Sequence, residues 1–393
     1  KIEIGYPTFH IIFEHSDQLV LFQTGEAGSR GDMPDPAFLD TILNAFVQYE
    51  RPEIKEFHQA VQKFKEDIPD IVEALRTMIA TQAKKNKLFK AQRERFWQVC
   101  RESINPQISA FDIREMLIQH ILTAEIFDTV FGESHFHREN NIAKELEKVI
   151  NTFFVGAVRR NTLAKIDNYY KTIKREAASI DNHHEKQKFL KVIYETFYKA
   201  YNPKGADRLG VVYTPNEIVK FMVESTDYLL EKHFNKNLAD KNVQILDPAT
   251  GTGTFITDII EYIPPKYLKH KFKNEIHCNE LAILPYYIAN LNIEFTYQQK
   301  MREYQAFENI VFVDTLDNLG FDFVGKQSTM FAMTSENLDR IKKQNSKKIS
   351  VIIGNPPYNA NQMNENDNNK NRTYPTLDKR IKDTYIKESS AQK

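Results

Sequence analysis

Cysteine is close to absent from this chain, with Cys100 and Cys278 the two in 393 residues. Two thiols build neither a disulfide framework nor a metal cluster, and their scarcity suits a reducing cytosol. Net charge is missing as well, because Lys plus Arg and Asp plus Glu both total 53. That balance neither requires nor excludes a nucleic-acid partner; a footprint for one has to be a local basic patch. No apolar run approaches the ~18 residues that a membrane span needs. No signal peptide is visible either, so the expectation is a cytoplasmic protein with no membrane partner. The chain also opens on Lys1 rather than Met, which reads as a piece of a longer protein.

What remains is ordinary globular material, 41% hydrophobic and 27% charged, with room for two or three domains and a full core. Residues 1–24 hold two short apolar or alternating runs, Thr8–Phe13 and Gln18–Phe22, split by Glu14-His15-Ser16-Asp17. That pattern predicts a β-hairpin, and Gly25–Pro36, rich in glycine and proline, reads as a linker. A two-stranded hairpin needs something further to pack on.

From residue 36 to about 205 the pattern is helical with few breakers. Ile54, Phe57, Val61, Phe64 and Ile68 keep helical spacing, as do Phe111, Leu117, Ile121, Ile126 and Val130 less regularly. Further helices fit Ile142–Val158 and Leu163–Ile180. Within this all-α stretch Lys84, Lys85, Lys87, Lys90, Arg93 and Arg95 form the densest basic run. It fits a phosphate-tracking face, although a solvated helix surface is the plainer reading. His135 and His137 near Glu133, and His183-His184 near Glu185, lack the second half that a metal site needs.

The C-terminal half changes character. In Val243–Phe255, VQILDPATGTGTF, an apolar run reaches Asp247, Pro248 stops it, and Gly251-Thr252-Gly253 turns into a helix start. Glycines there let backbone N–H groups and a helix N-terminus face a polar ligand. The third glycine of a dinucleotide fingerprint is absent, since position 256 is Ile, and no Gly-Lys-Ser/Thr of a P-loop follows Gly253. Further apolar strands end at Glu280 (Glu275–Glu280), Asp314 (Asn309–Asp314) and Asn355 (Ile349–Asn355), with helices expected at Phe255–Tyr262, Leu281–Asn292 and Ser335–Lys343. Continuous apolar strands alternating with helices predict a parallel, doubly wound α/β sheet. Ligands lie at the carboxyl ends of such strands, so Asp247, Glu280, Asp314 and Asn355 are expected to converge. Glu280 can accept from two vicinal hydroxyls and Asp314 from an exocyclic amine. Each alone equally fits a helix cap or a loop carboxylate.

Two further motifs flank these strands. Thr214-Pro215-Asn216-Glu217 reads as a capping box, with Thr214 as N-cap and Pro215 at the first helical position. Asn355-Pro356-Pro357-Tyr358 follows an apolar strand directly. Its prolines remove two donors, so the Asn355 side-chain oxygen and the Pro356 carbonyl can both accept from one planar NH₂ group. Holding both hydrogens tilts that nitrogen toward tetrahedral geometry and exposes its lone pair, and Tyr358 offers a face for a flipped base.

In this order, Gly210–Pro215 (G-x-x-Y-T-P), Asp247–Phe255 (DPATGTGTF), the acidic ends Glu280 and Asp314, and Asn355–Tyr358 (NPPY) resemble the gamma-class N6-adenine DNA methyltransferases. The approach AYNPKGADRLGVVYTPNEIVKFM resembles more particularly the single-chain restriction–modification enzymes of type ISP, and more loosely type IIG, in which a helical coupler precedes the methyltransferase. The resemblance implies a Rossmann-like S-adenosylmethionine-dependent methyltransferase sheet over 206–393, C-terminally incomplete and without a target-recognition domain. It is preceded by an all-α helical domain over 36–205 and a hairpin and linker over 1–35. The implied cofactor is S-adenosylmethionine, held by Tyr213, Thr214, Pro215, Asp247, Pro248, Ala249, Gly251, Gly253, Thr254, Phe255, Glu280, Asp314 and Thr315. The implied catalytic set is Asn355, Pro356, Pro357 and Tyr358, with no metal. The implied substrate is an adenine flipped from double-stranded DNA, with nuclease, motor and target-recognition modules elsewhere in the full-length chain.

After Tyr358, Asn359–Arg372 is almost wholly polar and reads as a lid or disordered loop, followed by a helix at Leu377–Lys387. Two alternatives share these residues. One is an N-methyltransferase acting on protein glutamine or RNA guanine, where NPPY also occurs. The other is a non-catalytic DNA-binding coupler module.

Overall fold

The computed structural model describes residues 9–15, 18–23, 26–32, 52–104, 108–130, 140–178, 214–318, 332–357 and 374–390, together with Phe189, Ile193, Phe197 and Tyr201. Tyr213, Tyr358, the histidine pairs at 135/137 and 183/184 and the polar loop 359–372 lie outside the described residues. The chain divides into two compact units, Lys1–Lys63 and Phe64–Lys393.

In the first unit β1 (Phe9–His15) and β2 (Gln18–Gln23) form the expected hairpin, antiparallel from Phe9↔Gln23 to His15↔Gln18. A third strand, β3 (Glu26–Asp32), pairs with β2 where the sequence reads as linker. Its EAGSRGD has poor strand propensity, yet ladder hydrogen bonds need only backbone, and pairing overrides propensity.

The helical elements are α1 (Pro52–Lys85), α2 (Lys87–Ser103), α3 (Ala110–Val130), α4 (Asn141–Ile150), α5 (Gly156–Leu163) and α6 (Asp167–Ala178). Where the sequence suggests one helix over 142–158, the chain breaks after α4: Phe153 and Phe154 turn into the core, and Gly156 takes a φ of +57° that only glycine adopts without strain. The core of the second unit's helical part holds Phe64 stacked on Tyr169 with centroids 4.0 Å apart. One buried polar cluster spans it. Arg76 donates to Glu115 through Nε at 3.2 Å and Nη2 at 2.9 Å, and the Tyr201 hydroxyl donates to the same carboxylate.

The remainder is a four-stranded sheet in the order β6-β5-β4-β7, all neighbours parallel, made of β4 (Gln244–Asp247), β5 (Ile276–Glu280), β6 (Ile310–Phe312) and β7 (Ile349–Ile352). The intervening helices are α7 (Asn216–Phe234), preceding β4, then α8 (Thr254–Tyr262), α9 (Pro265–Asn274), α10 (Ile283–Met301) and α11 (Ala332–Asn345). A last helix, α12 (Pro375–Ile381), runs into a π turn at Lys382–Ile386. Among the described residues no helix is long and apolar enough to cross a membrane.

Helix α10 joins the sheet to the helical part through buried polar contacts. The Tyr286 hydroxyl donates to Asn141 Oδ1 at 2.9 Å, Asn140 Nδ2 to Asn290 Oδ1 at 2.9 Å, and Tyr287 Oη meets His120 Nδ1 at 3.0 Å. Asn140 also caps α4, its Oδ1 accepting from Ile142 N at 3.1 Å and Ala143 N at 3.0 Å. Asn140→Ala is therefore expected to remove a cap and strand a buried Asn290 oxygen, costing about 2–4 kcal/mol by chemical denaturation. Asn140→Ser, which can still cap, should recover about half.

Candidate active site

At the carboxyl edge of the sheet, β4 ends on Asp247 and the chain turns through Pro248, Ala249 and Thr250 into the glycines. Gly251 has φ +57° and Gly253 φ +90°. They serve different ends. A Cβ on Gly253 would lie 3.2 Å from the Ala289 backbone of α10, so this glycine allows close packing. A Cβ on Gly251 would meet nothing within 4 Å, so this glycine borders open space. Phe255 turns into the core as α8 begins, and Thr254 is half-buried at its first turn.

The neighbouring strand clamps this loop. Gly251 N donates to Glu280 Oε2 at 2.9 Å, and Thr250 N to the Asn279 carbonyl at 3.0 Å. From α10, Asn292 Nδ2 donates to the Thr252 carbonyl at 2.9 Å. Glu280 Oε1 accepts from Leu281 N at 2.8 Å and Ala282 N at 2.6 Å, and burial pushes its carboxyl up to about 7 against those hydrogen bonds. Asp247 is fully buried and is pushed up to about 7 for the same reason. Its Oδ1 accepts from Ala249 N at 3.1 Å, while its buried Oδ2 has no hydrogen-bond partner among the described residues.

At the third strand, Thr315 ties the rim together: its hydroxyl donates to the Pro248 carbonyl at 2.6 Å and accepts from Asn279 Nδ2 at 3.1 Å. Asp314 Oδ1 accepts from Leu316 N at 3.1 Å and Oδ2 from the Tyr374 hydroxyl at 3.0 Å. At the fourth strand, Ile353 N donates to the Leu246 carbonyl at 3.0 Å, which holds the chain against β4 up to Gly354. A Cβ on Gly354 would sit 2.4 Å from Asp247 Oδ1, so the backbone leading to Asn355 lies directly on that carboxylate. Pro356 and Pro357 then emerge exposed.

The capping box does not form as the sequence suggests. Pro215, not Thr214, occupies the N-cap of α7, in an extended conformation and with no side-chain cap. The Thr214 hydroxyl instead accepts from Asn355 Nδ2 at 3.0 Å, across 141 positions of sequence. The local pattern fits a cap, but a tertiary partner takes the oxygen. The structure thus gathers Thr214, Pro215, Asp247, Pro248, Ala249, Gly251, Gly253, Glu280, Asp314, Thr315 and Asn355 at one edge, whereas Phe255 serves the core. Asn279, Asn292, Gly354 and Tyr374 join the edge without a motif that announces them; the glycine before Asn355 is the one legible sign.

This rim is rich in acceptors and poor in cations: two carboxylates near neutrality, the buried Asp247 Oδ2, and an open glycine. It fits a ligand that is donor-rich and positively charged, with hydroxyls and amines to offer.

Comparison with known proteins gives the same outline. Residues 50–185 match the coupler domain of type ISP restriction–modification enzymes, and residues 185–386 match N-6 DNA methylases. The chain is 53% identical to DrdV, solved by cryo-electron microscopy as a DNA complex, with a TM-score of 0.78 over 100% of this chain and 38% of that one. It is 32% identical to a nuclease-deletion mutant of the type ISP enzyme LlaGI in complex with a DNA substrate mimic, with a TM-score of 0.74 over 91% of this chain and 28% of that one. A further structure, the ATP-dependent type ISP enzyme LlaBIII bound to DNA, is 32% identical with a TM-score of 0.73 over 84% of this chain and 23% of that one. The chain therefore spans less than two fifths of the length of each. A search of the curated proteins found no match.

Proposed function

The chain belongs to the N-6 DNA methylase family and carries a type ISP coupler domain, and from that footing we propose that it is the methyl-transferring part of a restriction–modification enzyme. In this reading residues 36–205 are the coupler and 206–393 the methyltransferase. The reaction moves a methyl group from S-adenosylmethionine to the N6 amine of an adenine flipped out of double-stranded DNA, in the cytoplasm. Nuclease, motor and target-recognition modules belong to the rest of the full-length chain.

When bound, S-adenosylmethionine supplies a methyl group on a sulfonium, which needs no further activation. The residues of this chain bind and orient. Glu280 accepts from a ribose hydroxyl through the lone pair that Oε2 keeps beside the open side of Gly251. Asp314 retains lone pairs for the exocyclic amine of the cofactor's adenine, with Thr315 bracing the strand end. Asp247 and the Thr214-Pro215 helix start flank the amino-acid end. Asn355 Oδ1 and the Pro356 carbonyl accept the two hydrogens of the target amine, Pro357 fixes the turn, and Tyr358 stacks on the flipped base. A neutral amine needs no prior deprotonation, so positioning and polarisation do the work, and the methylated nitrogen releases its extra proton to solvent after transfer.

The observation that carries this reading is the Asn355–Thr214 hydrogen bond. It engages the amide nitrogen on the protein side and leaves the oxygen as the acceptor for a substrate amine. The test is parallel incubation of the full-length protein and labelled cofactor with unmodified duplex DNA, RNA and protein. Label is expected at adenine N6. Transfer to guanine in RNA or glutamine in protein would overturn the DNA assignment. Failure to bind cofactor at all would favour a non-catalytic coupler.

Cofactor affinity should depend on pH. Hydroxyl donors favour the ionised Glu280, whose carboxyl sits near 7. Binding is therefore fully developed above that value and weakens as pH falls through it. Between pH 8 and 6 calorimetric affinity is expected to drop about tenfold, and Glu280→Gln to flatten the profile.

A further inference from the structure

The helical part carries a concentration of positive charge that methyl transfer does not use. Between Glu73 and Glu94 the chain has no acidic residue but six basic ones, Arg76, Lys84, Lys85, Lys87, Lys90 and Arg93. Between Glu147 and Asp167 it again has none, against Lys148, Arg159, Arg160 and Lys165. The fold locks these two stretches together. Asn86, between α1 and α2, accepts from Phe89 N at 3.0 Å and donates through Nδ2 to the Thr152 carbonyl at 3.1 Å. Phe89 packs edge-on against Phe153, centroids 5.1 Å apart, and α5 with Arg159 and Arg160 starts three residues later.

Lys84, Lys85, Lys87, Lys90 and Arg160 are all exposed, and none makes an ion pair among the described residues. Other basic residues are compensated, including Arg76 by Glu115, Lys148 by Glu145 and Lys165 by Asp70 in these same stretches, and Lys171 by Asp167 and Lys269 by Glu303 beyond them. A solvated surface explains this corner poorly. Within α2, Lys87 and Lys90 repeat like charge at a spacing of three, where it repels. Lys87 and Lys90 also open α2, whose first turn holds no acid, against the preference of the helix dipole. Such an arrangement costs stability in the isolated molecule and is repaid by an anion laid across it. Leu88, Val155 and Val158, also exposed, put apolar surface among the charges.

We infer that this corner, α1–α2 together with the start of α5, is a phosphate-tracking surface for duplex DNA, distinct from the rim that holds the target base. It rests on the DNA reading above and extends it from the methylated base to the flanking duplex. A protein whose charge is balanced overall has to concentrate such a surface locally, and phosphates at one per ~1.7 Å of duplex are the complement.

The test uses the full-length protein with Lys84, Lys85, Lys87 and Lys90 all changed to Gln. Binding to a fluorescent duplex lacking any target site is measured by anisotropy from 50 to 200 mM KCl. At ~0.9 per phosphate contact, the log–log salt slope is expected to flatten by about 3 to 4, with affinity at 100 mM down at least tenfold. S-adenosylmethionine affinity should stay unchanged, the melting temperature should rise slightly as the repulsion is relieved, and four Lys→Arg changes should restore the slope. An unchanged slope overturns the inference while leaving the adenine reading intact. Cofactor binding without any DNA binding by the unaltered protein overturns both. Loss of affinity for polyglutamate with DNA binding unchanged would assign the corner to an acidic protein partner instead, which also overturns it.

Discussion

Asn355→Ala should lower methyl transfer at least a thousandfold while leaving S-adenosylmethionine affinity within about twofold. The asymmetry follows from the structure. The Asn355 amide nitrogen donates to Thr214 Oγ1 at 3.0 Å, whereas the glycine loop is held by Glu280 through Gly251 N at 2.9 Å. Removing the Asn355 side chain leaves the cofactor's acceptors in place and deletes the oxygen that orients the target amine. A lost preorganised hydrogen bond of this kind costs about 10²–10³ in rate, and loss of orientation adds to it. Asn355→Asp separates the two jobs. It keeps acceptor oxygens, loses the donor to Thr214 and introduces charge, so activity should fall nearly as far. Thr214→Val keeps the shape and removes the hydroxyl, and should cost about ten- to a hundredfold. Single-turnover rates on a duplex with one unmethylated adenine, beside calorimetric cofactor affinities, measure both. Asn355→Ala that still methylates, or that no longer binds cofactor, would contradict the assigned role.

The strand ends were legible because each apolar run in the second half stops on one polar residue, and a parallel sheet brings such ends to one edge. What escaped were places where a local rule met a tertiary partner. Thr214 satisfies every local requirement of an N-cap, yet its hydroxyl serves Asn355, and no window of neighbouring residues contains that information. Helix α9, which begins at Pro265, is not among the helices expected from the sequence, although proline suits the first helical turn. Strand β3 is assembled from residues that avoid strands, because β2 offers a partner. The basic run around Lys87 has two readings in sequence, of which a solvated helix surface is the plainer. The tertiary contacts of Asn86 with Thr152 and of Phe89 with Phe153 bring the second acid-free stretch beside it.

Gly354→Ala is expected to weaken both the fold and cofactor binding, and for a steric reason. The new methyl would lie 2.4 Å from Asp247 Oδ1 and 3.2 Å from its Cγ, so one of the two strand ends has to move. Asp247 has no room to give, being fully buried with Oδ1 engaged by Ala249 N. Displacing it drags Ala249 and the turn into Gly251, whose N–H meets Glu280 at 2.9 Å. Overpacking of this kind costs about 1–3 kcal/mol, and the lost backbone hydrogen bond about 1 more. Thermal melts should register that loss, and cofactor affinity should fall at least tenfold because the loop and Glu280 separate. The decisive comparison is the double variant. Asp247→Ala removes both clashing atoms and leaves Pro248 Cδ, at an ordinary 3.4 Å, as the nearest neighbour of the new methyl. Gly354→Ala with Asp247→Ala should therefore be more stable than Gly354→Ala alone, a coupling that residues acting independently do not show. If the two losses simply add, the rim is not the tightly packed junction that its geometry describes.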